Sequence, residues 1–176
     1  DNLSTGNKNN IPKKSIFYKC DISERKKIKE ILNKKFDVVL HFAAYANNEE
    51  SIKKPKKYLI NNYYKAKIFL NLCHEAGIQN YIYSSTAAVY GQQNQKVKES
   101  TKVKPLSPYA ISKVGTDLVG IFYAEAYNMK IMTTRMFTHT GPRRGDVFME
   151  STFAKQIALI ENGYQEPIVK VGNLES

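Results

Sequence analysis

The sequence predicts an α/β fold, a doubly wound parallel sheet. Short apolar runs rich in β-branched and aromatic residues alternate four times with longer segments of helical periodicity, an order typical of consecutive strand–helix–strand units. The run at 38–42 is nearly continuous in apolar residues, as expected of a buried parallel strand. A chain of 176 residues is long enough for one domain with a proper core. The predicted strands span residues 15–20, 38–42, 81–85 and 131–137, and the predicted helices span residues 23–33, 55–76, 108–127 and 149–162.

Two of the predicted helices carry an apolar stripe that identifies their buried face. The helix at 55–76 is closed by Gly77, a residue that readily adopts the left-handed conformation of a helix C-terminus. The helix at 108–127 contains Gly115 and Gly120, which cost helix propensity and suggest close packing. The predicted stripes are Leu59, Tyr63, Ala66, Leu70 and Cys73 in the first helix and Leu118, Phe122 and Ala126 in the second.

The composition narrows the classes of function. No apolar run approaches 18 residues, so we expect no transmembrane helix, and the first ten residues lack the apolar core of a signal peptide. Cys20 and Cys73 lie within apolar patterns, which favours the reducing cytoplasm over a disulfide framework or a metal site. The net charge of +11 comes from lysines scattered over several helices and loops, without a nucleic-acid-binding motif. We therefore expect a cytoplasmic protein that binds neither nucleic acid, membrane nor metal.

The helix at 108–127 begins with a pair of residues that can hold a proton. Ser107 is a good N-cap, and Pro108 fits the first turn, where no N–H partner is needed. Tyr109 and Lys113 follow four residues apart, so their side chains share one face. An ammonium beside a phenol favours the phenolate, and we expect Lys113 to lower the pKa of Tyr109 from its usual value of about 10. Such a tyrosine can accept or donate a proton at a hydroxyl or carbonyl group.

Hydroxyl side chains end the strand that precedes this helix. Ser84, Ser85 and Thr86 follow an aromatic and β-branched run, and we expect Thr86 to hydrogen-bond the same oxygen as Tyr109. This arrangement suits the interconversion of an alcohol and a ketone, which needs a hydride carrier that no side chain supplies. Thr86, Tyr109 and Lys113 are the predicted catalytic residues.

The two motifs around these residues, SSTAAVYG at 84–91 and SPYAISK at 107–113, occur here together. In this combination the sequence resembles the extended short-chain dehydrogenase/reductase family, the NAD-dependent nucleotide-sugar epimerases and dehydratases, over essentially its whole length. The resemblance implies a Rossmann-like fold, a nucleotide-diphosphate sugar as substrate, and a homodimer or higher homo-oligomer. The family also has a first strand and a glycine-rich turn before the stretch DNLSTG at 1–6, and a larger C-terminal lobe. The resemblance therefore predicts a fragment that lacks both ends of the fold.

The resemblance also assigns the cofactor-binding residues. DNLSTG resembles the end of the second strand in UDP-glucose 4-epimerases, where Asp1 would bind the adenosine ribose and favour NAD over NADP by repelling a 2′-phosphate. Asp21 would lie beside the adenine or, as an alternative, cap the helix that follows it. Asn62 would lie near the cofactor or tie down a loop in the core, and His41 is expected to be a packed strand residue. The predicted cofactor-binding residues are Asp1, Asn2, Asp21, Ile22, Phe42, Ala43, Ala44, Asn62, Ser84, Tyr109 and Lys113.

The loop after the last predicted strand, HTGPRRG at 139–145, resembles GDP-mannose 4,6-dehydratases. Adjacent arginines on a glycine-flanked loop suit phosphate binding, although a solvated basic loop would have the same composition. We expect a partial NAD-binding domain at 1–138 and the beginning of a substrate-binding region at 139–176. The predicted substrate-binding residues are Thr86, Thr138, His139, Arg143 and Arg144.

Three functions fit this resemblance: a nucleotide-sugar 4-epimerase, a GDP-mannose 4,6-dehydratase and a non-catalytic nucleotide-binding relative. Both enzymes oxidise carbon 4 of the sugar, but only the dehydratase then eliminates water across carbons 5 and 6. In the dehydratases a glutamate stands two residues after the active-site threonine, and in some an aspartate precedes it. Ala88 and Ala87 occupy these positions here, and a methyl group transfers no proton. The sequence therefore favours a 4-epimerase similar to UDP-glucose 4-epimerases, even though Thr138 stands where those enzymes have an asparagine.

Overall fold

The computed structural model describes residues 1–145 and 147–172. The chain forms two compact units, Asp1–Phe137 and Thr138–Ser176. The first unit contains the sheet and every residue of the predicted catalytic group. Within residues 138–145 and 147–172, the second unit contains one helix and the predicted arginine loop.

A three-stranded parallel sheet forms the centre of the first unit. Its strands are β1 (Val39–His41), β2 (Asn80–Ser84) and β3 (Lys130–Thr134), in the spatial order β1-β2-β3. Val39 pairs with Tyr81, and Tyr81 pairs in turn with Ile131. Consecutive parallel strands require crossover connections, which helices provide here. The predicted Rossmann-like α/β fold with a parallel sheet is confirmed.

The helices follow the predicted order, with one addition and one interruption. The additional helix lies between β1 and the next predicted helix. The interruption is a π-helical segment, Leu59–Lys65, inside the helix predicted at 55–76. π-Helical turns are rare and occur frequently at functional sites. The helices are α1 (Arg25–Leu32), α2 (Asn48–Lys53), α3 (Pro55–Tyr58), α4 (Ala66–Glu75) and α5 (Pro108–Tyr127) in the first unit and α6 (Met149–Glu161) in the second.

The core lies between one face of the sheet and the helices α1, α4 and α5. Tyr81 and Tyr83 of β2 point into it and are 1% and 3% exposed, while Leu70 and Cys73 of α4 are fully buried. The alternate strand residue Leu40 is 54% exposed. The sheet thus presents one packed face and one open face within the part of the chain that the structure describes.

Two expectations about this core are wrong. Residues 15–20 form no strand. The Cys20 N–H donates to the Asp1 carbonyl at 3.2 Å, but residues 15–20 form no continuous series of hydrogen bonds with a neighbouring strand. On α5, the predicted stripe is out of phase, because Leu118 and Phe122 are more than half exposed and Ala126 is exposed as well. The face that is buried is largely polar, and it consists of Ala110, Ser112, Lys113, Thr116, Asp117, Gly120 and Tyr123.

The second unit is organised around α6. Its Gln156 side chain exchanges hydrogen bonds with Lys170, donating to the carbonyl at 3.0 Å and accepting from the N–H at 2.7 Å. These bonds fasten the segment after α6 back onto the helix. No helix among residues 1–145 and 147–172 is both long enough and apolar enough to cross a membrane.

Candidate active site

Local hydrogen bonds fix the start of α5 beside the carboxyl end of β2. The Ser107 hydroxyl caps α5 by accepting from the Ala110 N–H at 3.2 Å, and it donates to Asn48 Oδ1 of α2 at 2.6 Å. The next residue, Pro108, occupies the first turn as predicted. The cap thus connects α5 to α2, and nothing in the sequence indicated this role for Asn48.

Lys113 is the buried cation of the site. Its side chain is on the core face of α5, and the residue is 3% exposed. Nζ donates to the Ser84 carbonyl at 2.7 Å and lies 4.8 Å from the centre of the Tyr83 ring. Burial lowers the pKa of Lys113 to about 8, and the negative charge of Asp117 acts in the opposite direction. Lys113 is therefore mainly an ammonium at neutral pH, but it loses its proton more readily than an exposed lysine.

Tyr109 lies one helical turn before Lys113, whose Nζ is 6.0 Å from the centre of the phenol ring. Burial raises the pKa of Tyr109 above its ordinary value, and a hydrogen bond with the Thr86 side chain offsets part of this rise. The expected lowering of this pKa by Lys113 is wrong. The ammonium is directed to the Ser84 carbonyl, and desolvation of the phenol outweighs its attraction.

Thr86 and the two alanines follow β2 directly. Thr86 has an extended backbone and caps a short 3₁₀-helix, Ala87–Tyr90, by accepting from the Ala88 N–H at 3.2 Å. The Ala87 N–H donates to the Met136 carbonyl at 2.8 Å, which fixes this turn against the chain that follows β3. Ala88 is exposed. The structure thus brings Thr86 into contact with Tyr109 and leaves methyl groups at the two positions that follow.

A buried acid–base cluster lies behind Lys113. Asp117 is one further turn along α5 and 3% exposed. Its Oδ2 accepts from Arg135 Nε at 3.2 Å, and Arg135 also donates to the Tyr90 hydroxyl at 3.2 Å. Burial raises the pKa of Asp117, whereas the nearby Ser85 hydroxyl, the hydrogen bond from Arg135 and the charges of Arg135 and Lys113 lower it. No sequence motif singled out Asp117 or Arg135, although Tyr109, Lys113 and Asp117 are spaced four residues apart along one helix face.

A cavity of about 200 Å³ lies at the loops that precede α1 and follow β1. Its wall includes Gly6, where an added Cβ would stand only 3.0 Å from the carboxylate of Asp1, so a larger residue would crowd this carboxylate. The acidic group and the small residues at 43–44 fit the adenosine part of a dinucleotide. The wall contains all seven of the residues that were predicted for the cofactor in these loops, namely Asp1, Asn2, Asp21, Ile22, Phe42, Ala43 and Ala44.

Asn62 does not line this cavity, whereas its neighbour Asn61 does. Asn62 is 1% exposed, and its side-chain amide accepts from the Tyr45 N–H at 2.9 Å and donates to the Tyr45 carbonyl at 2.8 Å. Its own carbonyl accepts from the Thr116 hydroxyl of α5 at 2.9 Å. Asn62 thus ties the loop after β1, a wall of the cavity, to the catalytic helix, as the loop-anchoring alternative predicted.

His41 at the end of β1 is a packed core residue. It is 3% exposed, and its Nε2 lies 3.2 Å from the Ala43 carbonyl, while Nδ1 hydrogen-bonds the Tyr81 hydroxyl. Burial, together with the charge of Lys113, lowers the pKa of His41 to about 4. A neutral histidine that supports the loop at Ala43 agrees with the expected structural role.

The four remaining predicted substrate residues lie in the second unit. Arg144 forms an ion pair with Glu150 at 3.2 Å and donates to the carbonyl of His139. Its guanidinium also lies 4.0 Å from the centre of the Phe148 ring. Thr138 and Arg143 belong to the same loop, and Arg143 has a left-handed backbone with φ of 71°. Arg144 therefore organises this loop through contacts within the unit.

The fold and the geometry of the site together define the class of protein. A parallel α/β sheet, a tyrosine–lysine helix beside strand-end hydroxyls and an acidic cavity in the loops around the sheet are the features of an extended short-chain dehydrogenase/reductase. A family model described as GDP-mannose 4,6 dehydratase matches residues 1–176, and the chain belongs to this family.

Individual relatives include both epimerases and dehydratases. The chain is 32% identical over 178 residues to the UDP-glucose 4-epimerase of Streptomyces lividans, covering 98% of this chain and 54% of that protein. It is 31% identical over 148 residues to the dTDP-D-glucose 4,6-dehydratase of Mus musculus, covering 83% of this chain and 41% of that protein. The structure of the Thermus thermophilus UDP-glucose 4-epimerase in complex with NAD superposes with a TM-score of 0.84 at 26% identity, covering 93% of this chain and 54% of that one. The chain thus spans about half the length of the curated relatives it matches.

Proposed function

We propose that the full-length protein is an NAD-dependent nucleotide-sugar 4-epimerase, with a substrate similar to UDP-glucose. One observation carries the proposal. Thr86 hydrogen-bonds Tyr109, and Lys113 Nζ lies 6.0 Å from the centre of the Tyr109 ring, while the positions after Thr86, Ala87 and Ala88, hold only methyl groups. The group suits oxidation and reduction at one carbon, but it lacks the acid and base that elimination of water requires.

The chain's own residues would perform the proton transfer at the carbon 4 hydroxyl. Thr86 orients the sugar oxygen, and Tyr109 accepts its proton when the alcohol becomes a ketone and returns it on reduction. The Lys113 ammonium lies 6.0 Å from the centre of the phenol ring, and its charge would offset part of the cost that burial imposes on the phenolate. The bound nicotinamide would accept and return the hydride, which no side chain can do. Rotation of the keto sugar between these two steps inverts carbon 4.

NAD is the cofactor that the first unit fits best. The cavity at the adenosine end contains the carboxylate of Asp1, which would accept from ribose hydroxyls and repel a 2′-phosphate. The Thermus thermophilus enzyme, similar in fold, is described as a complex with NAD. We propose that Ser84, Tyr109 and Lys113 face the nicotinamide end and that Thr138, His139 and Arg143 contribute to binding the nucleotide sugar. A cytoplasmic location is proposed as well, in accord with two free, buried cysteines.

A GDP-mannose 4,6-dehydratase is the second candidate, because the family description and the mouse relative both name 4,6-dehydratases. The two reactions differ in product mass. The full-length enzyme is incubated separately with UDP-glucose, UDP-galactose and GDP-mannose, and the products are analysed by mass spectrometry. We expect an unchanged mass and interconversion of the two UDP sugars. A product lighter by one water, formed at an enzymatic rate, would show that the protein is a dehydratase.

The exposed face of α5 supports a homodimer. Ile111, Leu118 and Phe122 lie along one side of the helix and are 49%, 59% and 55% exposed. Apolar side chains so arranged on a helix favour association with another apolar surface. Sedimentation of the full-length protein should show a dimer or a higher homo-oligomer, and the variant Leu118→Lys should sediment as a smaller species.

A further inference from the structure

Arg135 directly follows β3 and contacts three separate parts of the first unit. Its Nε donates to Asp117 Oδ2 of α5 at 3.2 Å. Its Nη1 donates to the Tyr90 hydroxyl at 3.2 Å and to the Glu99 carbonyl at 3.3 Å. The guanidinium carbon lies 5.3 Å from the centre of the Tyr90 ring. One side chain therefore joins α5, the 3₁₀-helix Ala87–Tyr90 and the loop that leads from this 3₁₀-helix to α5.

Two of the elements that Arg135 joins hold the two hydroxyl groups proposed to act on the sugar oxygen. Thr86 is the N-cap of the 3₁₀-helix, and Tyr90 is its last residue. On α5, Asp117 lies about two turns after Tyr109. The contacts from Tyr90 through Arg135 to Asp117 therefore connect the 3₁₀-helix that Thr86 begins to the helix that carries Tyr109.

Backbone hydrogen bonds already fix Thr86 against the chain that continues from β3. The neighbours of Thr86 on both sides donate their N–H groups to the carbonyls of Thr134 and Met136, at 2.9 and 2.8 Å. Arg135 lies between these two acceptors in the chain, so its backbone is fixed relative to that of Thr86. The side chains of Asp117 and Arg135 are 4% and 24% exposed, and removing either partner would leave a shielded charge uncompensated. The ion pair therefore ties this backbone pairing firmly to α5.

We propose that Arg135 is a positioning residue for the proposed reaction: it holds Thr86 in line with Tyr109, so that both hydroxyl groups meet the same substrate oxygen. The proposal rests on the proposed function, because it assumes that these two residues act on one oxygen of the sugar. An arginine does not lose its proton in proteins, so the role of Arg135 is geometric and not that of an acid or base.

The test measures turnover of UDP-glucose and UDP-galactose by the full-length variant Arg135→Lys. Lysine keeps a positive charge opposite Asp117, but it lacks the planar fork that reaches Tyr90 and Glu99 at the same time. We expect kcat to fall about 10- to 100-fold, since a misplacement of about 1 Å can cost as much. The KM for the nucleotide sugar should change less than about twofold, because substrate binding itself is retained. Tyr90→Phe, which removes one contact, should lower kcat by a smaller factor. Arg25→Lys, the same substitution at an exposed position of α1, is the matched control and should behave like the unaltered enzyme.

A second background separates positioning from a general loss of structure. Thr86→Val removes the hydroxyl that Arg135 is proposed to position. In this background, Arg135→Lys should lower kcat by less than about threefold, as for two residues that act as a unit. An equal fall in kcat in both backgrounds, or a raised KM with an unchanged kcat in Arg135→Lys alone, overturns the proposal.

A crystal structure of full-length Arg135→Lys gives a readout that does not depend on turnover. We expect the 3₁₀-helix Ala87–Tyr90 to be displaced and the hydrogen bond between Thr86 and Tyr109 to be lost. An intact hydrogen bond between these two residues in the variant overturns the proposal. If the unaltered enzyme does not interconvert the two UDP sugars, the proposed function is wrong, and the crystal structure alone decides whether Arg135 positions Thr86.

Discussion

The face of α5 that carries the predicted catalytic residues and the turn at 1–6, which is proposed to bind the cofactor, are held in place by different physical means. Lys113 and Asp117 on α5 are each 3% exposed. Burial is therefore the main influence on their pKa values, and the charges of neighbouring residues also shift them. Asp1 and Asn2 in the turn are exposed and depend on short-range hydrogen bonds for their position. Buried polar groups are costly to disturb, whereas exposed hydrogen bonds contribute modestly to stability. Substitutions on α5 should therefore change chemistry or stability strongly, and those in the turn should affect ligand binding alone.

The largest expected effect is that of Tyr109→Phe on turnover by the full-length enzyme. The change removes the hydroxyl that exchanges the proton and leaves the ring that packs against Tyr58 at 6.3 Å. We expect the rate to fall by about 10²- to 10⁴-fold, with an unchanged circular dichroism spectrum and melting temperature. Retention of more than about a tenth of the rate, well outside that range, would exclude the tyrosine from acid–base catalysis.

The pH dependence of the rate should show how the charge of Asp117 influences the pKa of Lys113. In the proposed mechanism Lys113 acts as an ammonium, so the rate should fall as the pH rises through the Lys113 pKa of about 8. The groups around Lys113 are Tyr109 on its own helix, Tyr83 on β2, a neutral His41 on β1, and Asp117 with its partner Arg135. Asp117→Asn removes the negative charge that stabilises the ammonium, and the alkaline limb should therefore move to lower pH. An alkaline limb that stays in place in this variant would show that Asp117 has no influence on Lys113.

Gly115→Ala should lower stability by about 1–2 kcal/mol, because overpacking outweighs the better helix propensity of alanine. The added Cβ would stand 2.8 Å from the Tyr63 ring of the π-helical segment. Gly120→Ala is the matched control on the same helix: its Cβ would stand 3.3 Å from a methyl group of Ile131, so its stability should be unchanged or slightly higher. Thermal or urea unfolding measures both. Equal stability of the two variants would contradict the close packing of α5 on the π-helical segment.

The smallest effect on stability is expected in the turn. Asn2→Ala removes one exposed side chain and its bonds to Asp21 and Ser4. The free energy of unfolding should change by less than about 0.5 kcal/mol, as at most surface sites, while the affinity for NAD falls several-fold. A marked loss of stability in Asn2→Ala would contradict the expectation that substitutions in the turn at 1–6 affect ligand binding and not stability.

The parts of the molecule that the sequence predicted well are those with regular patterns. Helix α5 begins at Pro108 and ends at Tyr127 as predicted, because Ser107 and Pro108 are strong start signals. The buried face of this helix was assigned wrongly, since hydrophobic periodicity presumes an apolar core. Here the buried positions include Lys113, Thr116 and Asp117, which no apolar pattern can reveal.

The same limit applies to the site. The spacing of Tyr109 and Lys113 predicts that they share one helix face. The direction in which the pKa of Tyr109 shifts, however, depends on burial, which the sequence does not contain. Sequence signals also gave no indication of the π-helical segment or of the ion pair between Lys65 and Asp21, because these depend on contacts between residues far apart in the chain. Residues 15–20 have strand composition but lack a continuous hydrogen-bonded partner among the described residues.

The most direct test of 4-epimerisation follows a deuterium label. The full-length enzyme is given UDP-glucose that carries deuterium on carbon 4, and the position of the label in the product is read by nuclear magnetic resonance. With Ala87 and Ala88 in place of carboxylates, the account predicts UDP-galactose that keeps the deuterium on carbon 4, now on the opposite face. Deuterium on carbon 6 of a product that has lost water would contradict it.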